Sequence, residues 1–270
     1  MLETAAMEIL SCAWRTDLAL LAASGSTVEH HGTHVVVRTP ANPAFRWGNF
    51  VLLRKAPSRA DLPGWVELFT ETFPGAAHRA FGVDDPAADA HALAPFARSG
   101  YEVETSTVLT ASAVREPRHG NTTAELRRLD GDADWAARVE LAIACSDPQE
   151  GAGFADFAVR RAAAERRLAE DGHGDWFGAF DGEQMLSGLG IFRTGDGLAR
   201  FQSVETHPDH RRRGLAGSLV HHAGRHALDT LGAHTLVIVA DPHYPAIRIY
   251  RHVGFKPSET QLQAELHPLR

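Results

Sequence analysis

The segment that decides the fold runs from a strand into the start of a helix: Phe201-Gln-Ser-Val-Glu-Thr-His-Pro-Asp-His-Arg-Arg-Arg-Gly-Leu-Ala-Gly217. A helix N-terminus leaves backbone N–H groups free and carries a partial positive charge. Gly214, Ala216 and Gly217 keep bulky side chains out of the first turn, so an anion can approach the backbone. Because Arg211–Arg213 add positive charge beside it, the segment predicts a pyrophosphate-binding loop. The alternative is a solvated basic turn that begins an amphipathic helix.

The elements around this loop predict a mixed α/β domain over residues 122–270. Strands are predicted at Ala124–Leu129, Trp176–Phe180, Gln184–Arg193, Leu198–Thr206, His234–Ala240 and Phe255–Leu266, and helices at Asp132–Cys145, Phe154–Glu170, Arg213–Leu231 and Pro245–His252. Successive hairpins followed by a strand–helix–strand–helix–strand order indicate a mixed, mostly antiparallel sheet flanked by helices.

Residues 1–115 predict a second domain of similar kind. Its predicted helices are Asp17–Ser24, Asp61–Phe73 and Asp85–Ser99, and its predicted strands are His34–Arg38, Asn49–Arg54, Ala77–Val83 and Tyr101–Ala111. The polar segment 116–121, which contains Pro117 and Gly120, is expected to link the two domains.

A weak internal repeat favours a duplicated fold. Phe96-Ala-Arg-Ser-Gly-Tyr101 and Tyr250-Arg-His-Val-Gly-Phe255 each consist of an aromatic residue, three residues, a glycine, an aromatic residue and then a strand. The alternative is that any helix ended by a glycine before a strand has this pattern.

The second domain resembles the GNAT acyltransferase superfamily. Arg211-x-x-Gly214-x-Ala216 is similar to the Gln/Arg-x-x-Gly-x-Gly/Ala signature of that family, and Val204-Glu-Thr-His-Pro208 is similar to its fourth strand. Tyr250-Arg-His-Val-Gly254-Phe255 is similar to its C-terminal Tyr-x-x-x-Gly-Phe. The resemblance implies two GNAT-like domains, of which residues 1–115 are a degenerate, non-catalytic copy because they lack the arginine–glycine signature.

The resemblance also implies acetyl-CoA as the acyl donor, with its pantetheine arm along the fourth strand and its pyrophosphate on the loop. The expected cofactor-binding residues are Val204, Glu205, Thr206, Arg211, Arg212, Arg213, Gly214, Leu215, Ala216, Gly217 and His243. Many relatives have an asparagine where this chain has His243. Tyr250 matches the family tyrosine that protonates the departing thiolate, which is reasonable general-acid chemistry. The other interpretation of Tyr250 is a core aromatic residue.

An amine acceptor must lose a proton before it attacks a thioester. Glu205 is the candidate catalytic base because it lies on the predicted strand beside the thioester path. Asp241 and His243, at the end of the next strand, are alternatives, as is a chain of water molecules, and Glu205 also fits an ordinary strand carboxylate.

Composition excludes several classes of protein. Lys+Arg 27 against Asp+Glu 34 gives a net charge of −7, which disfavours nucleic acid as a partner. The 2 cysteines and the absence of a long apolar stretch or basic leader predict a cytoplasmic protein without a membrane span. The 16 histidines include His222 and His226 at a spacing of four, but no zinc motif, so no metal is expected.

These observations predict an acetyl-CoA-dependent N-acetyltransferase in which a neutral primary amine attacks the thioester directly. The acceptor is expected to be a small-molecule or peptide amine, and the protein a monomer or homodimer. Two other functions remain open. One is a regulatory protein that binds acyl-CoA without turnover, and the other is nucleic-acid binding through Arg211–Arg213, which the net charge disfavours.

Overall fold

The computed structural model describes residues 6–147 and 153–267. By its internal contacts the chain divides into two compact units, Met1–Val108 with Ser258–Arg270, and Leu109–Pro257. This division differs from the predicted boundaries 1–115 and 122–270. The predicted linker 116–121 falls within the second unit, and the C-terminal strand falls within the first.

The first unit is a helix-flanked mixed sheet. Its elements are α1 (Cys12–Ala23), β1 (Thr27–His30), β2 (His34–Arg38), β3 (Phe50–Leu53), α2 (Leu62–Thr72), β4 (Arg79–Val83), α3 (Ala94–Arg98), most of β5 (Glu102–Ala111) and most of β11 (Lys256–Leu266). Strands β1, β2 and β3 pair antiparallel in that order, and β4 pairs parallel with β3. The unit recruits β11 from the C-terminus because Leu262 and Ala264, both fully buried, pack with Phe81 in its core.

The second unit contains the loop quoted above. Its elements are β6 (Glu125–Arg128), α4 (Gly131–Cys145), α5 (Phe154–Glu170), β7 (Gly174–Asp181), β8 (Gln184–Arg193), β9 (Leu198–Thr206), α6 (Leu215–Asp229), β10 (Thr235–Ala240) and α7 (Ala246–Val253). Strands β6 to β9 pair antiparallel in chain order, and β10 pairs parallel with β9. The apolar face of α6, with Leu219, Val220 and Ala223 fully buried, packs on this sheet.

The same order of elements occurs in both units, as the weak sequence repeat predicts. Each has three antiparallel strands, then a helix, then a strand parallel to the third. In the first unit these are β1–β3, α2 and β4, and in the second they are β7–β9, α6 and β10. The predicted mixed α/β fold with a repeated arrangement of elements is confirmed.

In the first unit one predicted helix was wrong and one strand was missed. Asp85–Ser99 does not form one helix, because only a 3-10 turn at Ala90–Leu93 and the short helix α3 are present. Asp89 ends the preceding extended segment by accepting a hydrogen bond from the backbone N–H of His91, and Pro95 begins a new helix. Strand β1 was missed because its four residues are mostly exposed and lack an apolar alternation.

The histidine pair on α6 has a packing role. His222 and His226 contact the ring of Phe177 edge-on, at centroid distances of 5.1 and 5.2 Å. His226 Nε2 also lies 2.7 Å from Asp175 Oδ2. Among residues 6–147 and 153–267, no group of three or more His, Cys, Asp or Glu side chains has an arrangement that could hold a metal ion. In that same part of the chain, every helix is too short or too polar to cross a membrane.

Candidate active site

The strand that precedes the loop departs from its neighbour, and this opens the site. Register pairs between β9 and β10 run from Leu198–Thr235 to Arg200–Val237. Beyond them β9 carries a β-bulge. Two steps along β8, from Gly188 to Gly190, oppose three steps along β9, from Gln202 to Glu205. Ser203 within the bulge has φ +44°, which a non-glycine residue rarely adopts. The bulge therefore turns the end of β9, with Val204–Thr206, into the wall of a cavity.

That cavity has a volume of about 900 Å³ and lies within the second unit. Its lining brings together the predicted residues Val204, Glu205, Thr206, Arg211, Arg212, Arg213, Gly214, Leu215, Ala216, Gly217 and Tyr250. Arg118 and Arg248 also line it, and among the described lining residues Glu205 alone carries a carboxylate. The cavity is therefore strongly cationic and suits an elongated anionic ligand.

The loop before α6 is shaped by its backbone. Arg212 and Gly214 have φ values of +62° and +78°. A Cβ atom on Gly214 would lie 2.3 Å from the carbonyl oxygen of His119 and 2.9 Å from the backbone nitrogen of Asn121. Glycine is therefore required here by the chain's own backbone. A larger residue at this position would damage the fold as well as ligand binding, so Gly214 is unsuitable for testing binding alone.

The segment predicted as a linker forms one side of the cavity. The backbone N–H of Asn121 donates to Ser218 Oγ at 2.8 Å, and its side-chain amide donates to the carbonyl of Arg213 at 3.0 Å. These two bonds hold the segment against the first turn of α6. Pro117, Arg118 and His119 consequently line the cavity. Sequence analysis missed them because polar residues around Pro117 and Gly120 fit a connector equally well.

Tyr250 lies on α7 and is 5% exposed. Burial, with a smaller contribution from Tyr244, raises the pKa of its hydroxyl to about 12. The phenol therefore holds its proton at neutral pH, as a proton donor must. Its ring also belongs to the apolar core of the second unit, which confirms the core-aromatic interpretation, while the proton-donor role stays a prediction.

Glu205 projects from the bulged end of β9 and faces a buried arginine. Arg138 Nη1 lies 3.0 Å from Glu205 Oε2, without the angle of a hydrogen bond. Burial raises the pKa of the Glu205 carboxyl, and the charge of Arg138 opposes that rise. A carboxylate with a raised pKa is a stronger base near neutral pH than an exposed one.

Arg138 belongs to a buried network that the sequence analysis missed. Arg138 Nη2 lies 3.4 Å from Glu165 Oε2. The guanidinium carbon of Arg138 lies 4.1 Å from the ring centroid of Trp176. Glu165 has a second partner, because Arg161 Nε donates to its Oε1 at 2.8 Å. A signal was present in the sequence. Arg138 shares the buried face of α4 with Trp135, Leu141 and Ala142, where a charge needs a partner.

The two alternative candidates for the catalytic base do not line the cavity. Asp241 and His243 are exposed and are not among the residues that line the cavity. The backbone N–H of His243 donates to Asp241 Oδ1 at 2.7 Å, which forms a turn before α7. The structure thus brings Glu205 and Tyr250 to one cavity and leaves His243, predicted as a cofactor contact, outside it.

Cys145 also lines the cavity. Burial, followed by the charge of Glu205, raises the pKa of its thiol to about 11. A thiol with that pKa is protonated at neutral pH and is a poor nucleophile.

Comparison with known proteins agrees with this fold. Residues 140–255 match the profile of the Acetyltransferase (GNAT) family, and no curated protein sequence gave a significant match. The chain has a mixed α/β fold of the GNAT type, and the family match is confined to residues 140–255 of its second unit. The first unit has a GNAT-like fold.

Three solved structures are similar over nearly the whole chain. A functionally unknown conserved protein from Staphylococcus epidermidis is 12% identical with a TM-score of 0.71, covering 91% of this chain and 95% of that one. A GCN5-related N-acetyltransferase from Kribbella flavida is 15% identical with a TM-score of 0.67, covering 97% of both chains. A tandem GNAT protein from the clavulanic acid biosynthesis pathway is 14% identical with a TM-score of 0.57, covering 99% of this chain and 91% of that one.

Proposed function

We propose that this protein transfers an acetyl group from acetyl-CoA to a primary amine. The observation that carries the proposal is that one cavity combines a cationic loop at a helix N-terminus with a buried carboxylate and a protonated phenol. An enzyme of this kind must bind an anionic donor, remove a proton from an amine and supply one to a thiolate, and each of these residues suits one task.

The donor fits the cavity by charge and by shape. The pyrophosphate of acetyl-CoA would accept hydrogen bonds from backbone N–H groups of the loop and first turn of α6, beside Arg211–Arg213. The pantetheine arm would lie along Val204–Thr206, which line the cavity beyond the last register pair between β9 and β10. The cavity volume of about 900 Å³ lies in the usual range for cofactor sites.

Glu205 is the proposed base. Its raised pKa suits removal of a proton from an ammonium group, and Arg138 holds the carboxylate in place at 3.0 Å. After deprotonation the neutral amine attacks the thioester carbonyl, and the C–S bond breaks as the amide forms. Tyr250 gives its proton to the departing sulfur, and its phenolate takes up the second proton, which the attacking nitrogen releases as the amide forms. The high pKa of Cys145 supports direct attack over an acyl-cysteine intermediate.

The first unit is proposed to be non-catalytic. Its counterpart of the loop before α6 is the segment before α2, because both helices follow the third antiparallel strand of their unit. That segment, residues 54–61, contains no glycine and ends in Asp61, where the second unit has Gly214. Without that glycine, a side chain stands where an anion would approach the start of the helix.

The test is the substitution Ala216→Glu. Ala216 lines the cavity in the first turn of α6, where an acidic residue stabilises a helix by about 0.3–1 kcal/mol. The variant is therefore expected to fold as well as the wild type but to repel the pyrophosphate. Acetyl-CoA at about 100 times its Kd stabilises the wild type by about 2.7 kcal/mol. We expect no such rise in Tm for the variant, and no acetyl-CoA-dependent thiol release across a panel of amines.

Ala163→Glu is the matched control, because Ala163 is exposed on α5 and does not line the cavity. It should leave binding and turnover unchanged. Wild-type affinity of Ala216→Glu for acetyl-CoA would show that the loop is not part of the donor site. A wild type that binds acetyl-CoA yet releases no thiol with any amine would favour the regulatory alternative.

A further inference from the structure

A smaller cavity adjoins the donor cavity and contains several arginines. It has a volume of about 290 Å³ and is lined by Arg115, Glu116, Arg118, Arg251 and His252. Arg118 and His252 line both cavities, so the two are contiguous. The smaller cavity contains none of the residues to which a cofactor or catalytic role is assigned above.

The charges in this cavity are poorly balanced. Arg115, Arg118 and Arg251 face one carboxylate, Glu116, and within residues 6–147 and 153–267 none of the three arginines forms an ion pair within 4.0 Å. Gathering three guanidinium groups around one acid costs electrostatic free energy unless an anion is present. Such a cluster therefore indicates an anion-binding site.

The backbone holds the cluster together. The N–H of Arg115 donates to the carbonyl of Val253 at 2.8 Å, which fixes the segment before Pro117 to the end of α7. Attraction of cations to a helix C-terminus accounts for Arg251 and His252 in the last turn of α7. It does not account for Arg115 and Arg118, which come from a segment far away in sequence.

We infer that this arginine cluster binds the phosphate monoester of the donor, namely the ribose 3′-phosphate of CoA. The inference rests on the proposed function. A phosphate monoester carries three oxygens and close to two negative charges, which several guanidinium groups can share. The pyrophosphate is assigned to the loop before α6, so the 3′-phosphate is the remaining phosphate of that donor. The protein then selects thioesters of complete CoA over donors that carry only a phosphopantetheine arm.

The experiment compares the affinities of acetyl-CoA and acetyl-3′-dephospho-CoA by titration calorimetry. We expect the wild type to bind acetyl-CoA about tenfold more tightly than acetyl-3′-dephospho-CoA. That ratio corresponds to roughly one charge-assisted contact made near solvent. In the double variant Arg115→Gln/Arg251→Gln the ratio should fall to about one. Its affinity for the dephospho donor should stay at the wild-type value, because neither residue lines the donor cavity.

Arg167→Gln is the control, since Arg167 is exposed on α5 and lines neither cavity. It removes the same charge and should preserve the tenfold ratio. Equal affinity of the wild type for the two donors would overturn the inference while leaving the proposed function intact, and so would a tenfold ratio retained by the double variant. Failure of the wild type to bind either donor would instead overturn the proposed function. Competition by inorganic phosphate against acetyl-CoA but not against the dephospho donor would support the subsite.

Discussion

Replacing Arg138 by methionine tests the buried network beneath the candidate base. The arginine side chain is 4% exposed, and it separates two carboxylates, Glu165 and Glu205. Methionine occupies a similar volume and can still pack against Trp176, so the substitution removes mainly the charge and, with it, the cation–π contact. Both carboxylates then lose their shared counter-charge.

The expected loss of stability follows from which carboxylate is left unpaired. Removing one partner of a buried ion pair costs about 3–5 kcal/mol. Glu165 keeps Arg161 at 2.8 Å, whereas Glu205 loses the one ion pair that the described residues give it. The Glu205 side chain is 25% exposed, so water relieves part of the cost. We therefore expect a loss near the lower end, about 3 kcal/mol, which lowers Tm by about 6–12 °C in a protein of this size.

The loss should depend on pH. The pKa of Glu205 in the folded protein is already raised by burial, and Arg138 opposes that rise. Removing Arg138 raises the pKa further. A carboxyl whose pKa is higher in the folded state than in the unfolded state binds its proton more tightly when folded, so stability falls as pH rises between the two values. The deficit of Arg138→Met should therefore be small near pH 4 and grow towards neutral pH.

The assay is guanidinium unfolding followed by tryptophan fluorescence at several pH values. Arg166→Met is the matched control, because Arg166 pairs at the surface with Asp132 and Glu170. Exposed pairs contribute about 1 kcal/mol or less. Adding Glu205→Gln to Arg138→Met should restore part of the stability and remove the pH dependence. A deficit for Arg138→Met no larger than that of Arg166→Met, or one independent of pH, would refute this account.

The remaining predictions concern the proposed acid and the C-terminal strand. Tyr250→Phe keeps the ring in the core, so the Tm and the acetyl-CoA affinity should stay at their wild-type values. The values of kcat and kcat/KM should fall together by about 10²–10⁴. Unchanged rates, with the chemical step shown to be rate-limiting, would mean that Tyr250 has only a packing role. Glu259 on β11 accepts hydrogen bonds from Ser11 Oγ at 2.7 Å and from the N–H of Ala13 at 2.9 Å. Glu259→Ala should cost about 1–3 kcal/mol and expose the amides of α1 to hydrogen exchange, whereas Glu67→Ala, at an exposed position on α2, should leave them protected. Equal protection in both variants would contradict this capping role.

Local periodicity was enough to predict many elements of the chain. The predicted bounds of β2, α5, β8 and β9 agree with the structure, because apolar alternation and a helical repeat depend on residues close together in sequence. The loop before α6 could be predicted equally well from the sequence, since an anion-binding loop requires arginines, glycines and a helix start within one short segment. The structure places all of these predicted loop residues on one cavity.

The sequence did not reveal which distant segments complete each unit. Strand β11 was correctly predicted as a strand, yet its partner is β4, and only burial of Leu262 and Ala264 against Phe81 decides that. The segment 116–121 was predicted as a linker, although Asn121 bonds to Ser218 and Arg213 and holds it at the cavity. Pairings of this kind leave no periodic signal, because their two halves lie far apart along the chain.

Short-range patterns in the sequence were sufficient to predict the local elements, the loop proposed to bind an anion, and the two residues proposed for proton transfer, Glu205 and Tyr250. Tertiary structure decided that Glu205 faces Arg138, that His243 stays outside the cavity, and that Arg115, Arg118 and Arg251 come together beside it. The physical reason is the range of the forces concerned. Helix periodicity, strand alternation and turn chemistry act between near neighbours, whereas pKa shifts, ion pairs and charge clusters depend on which remote side chains folding brings within a few ångströms.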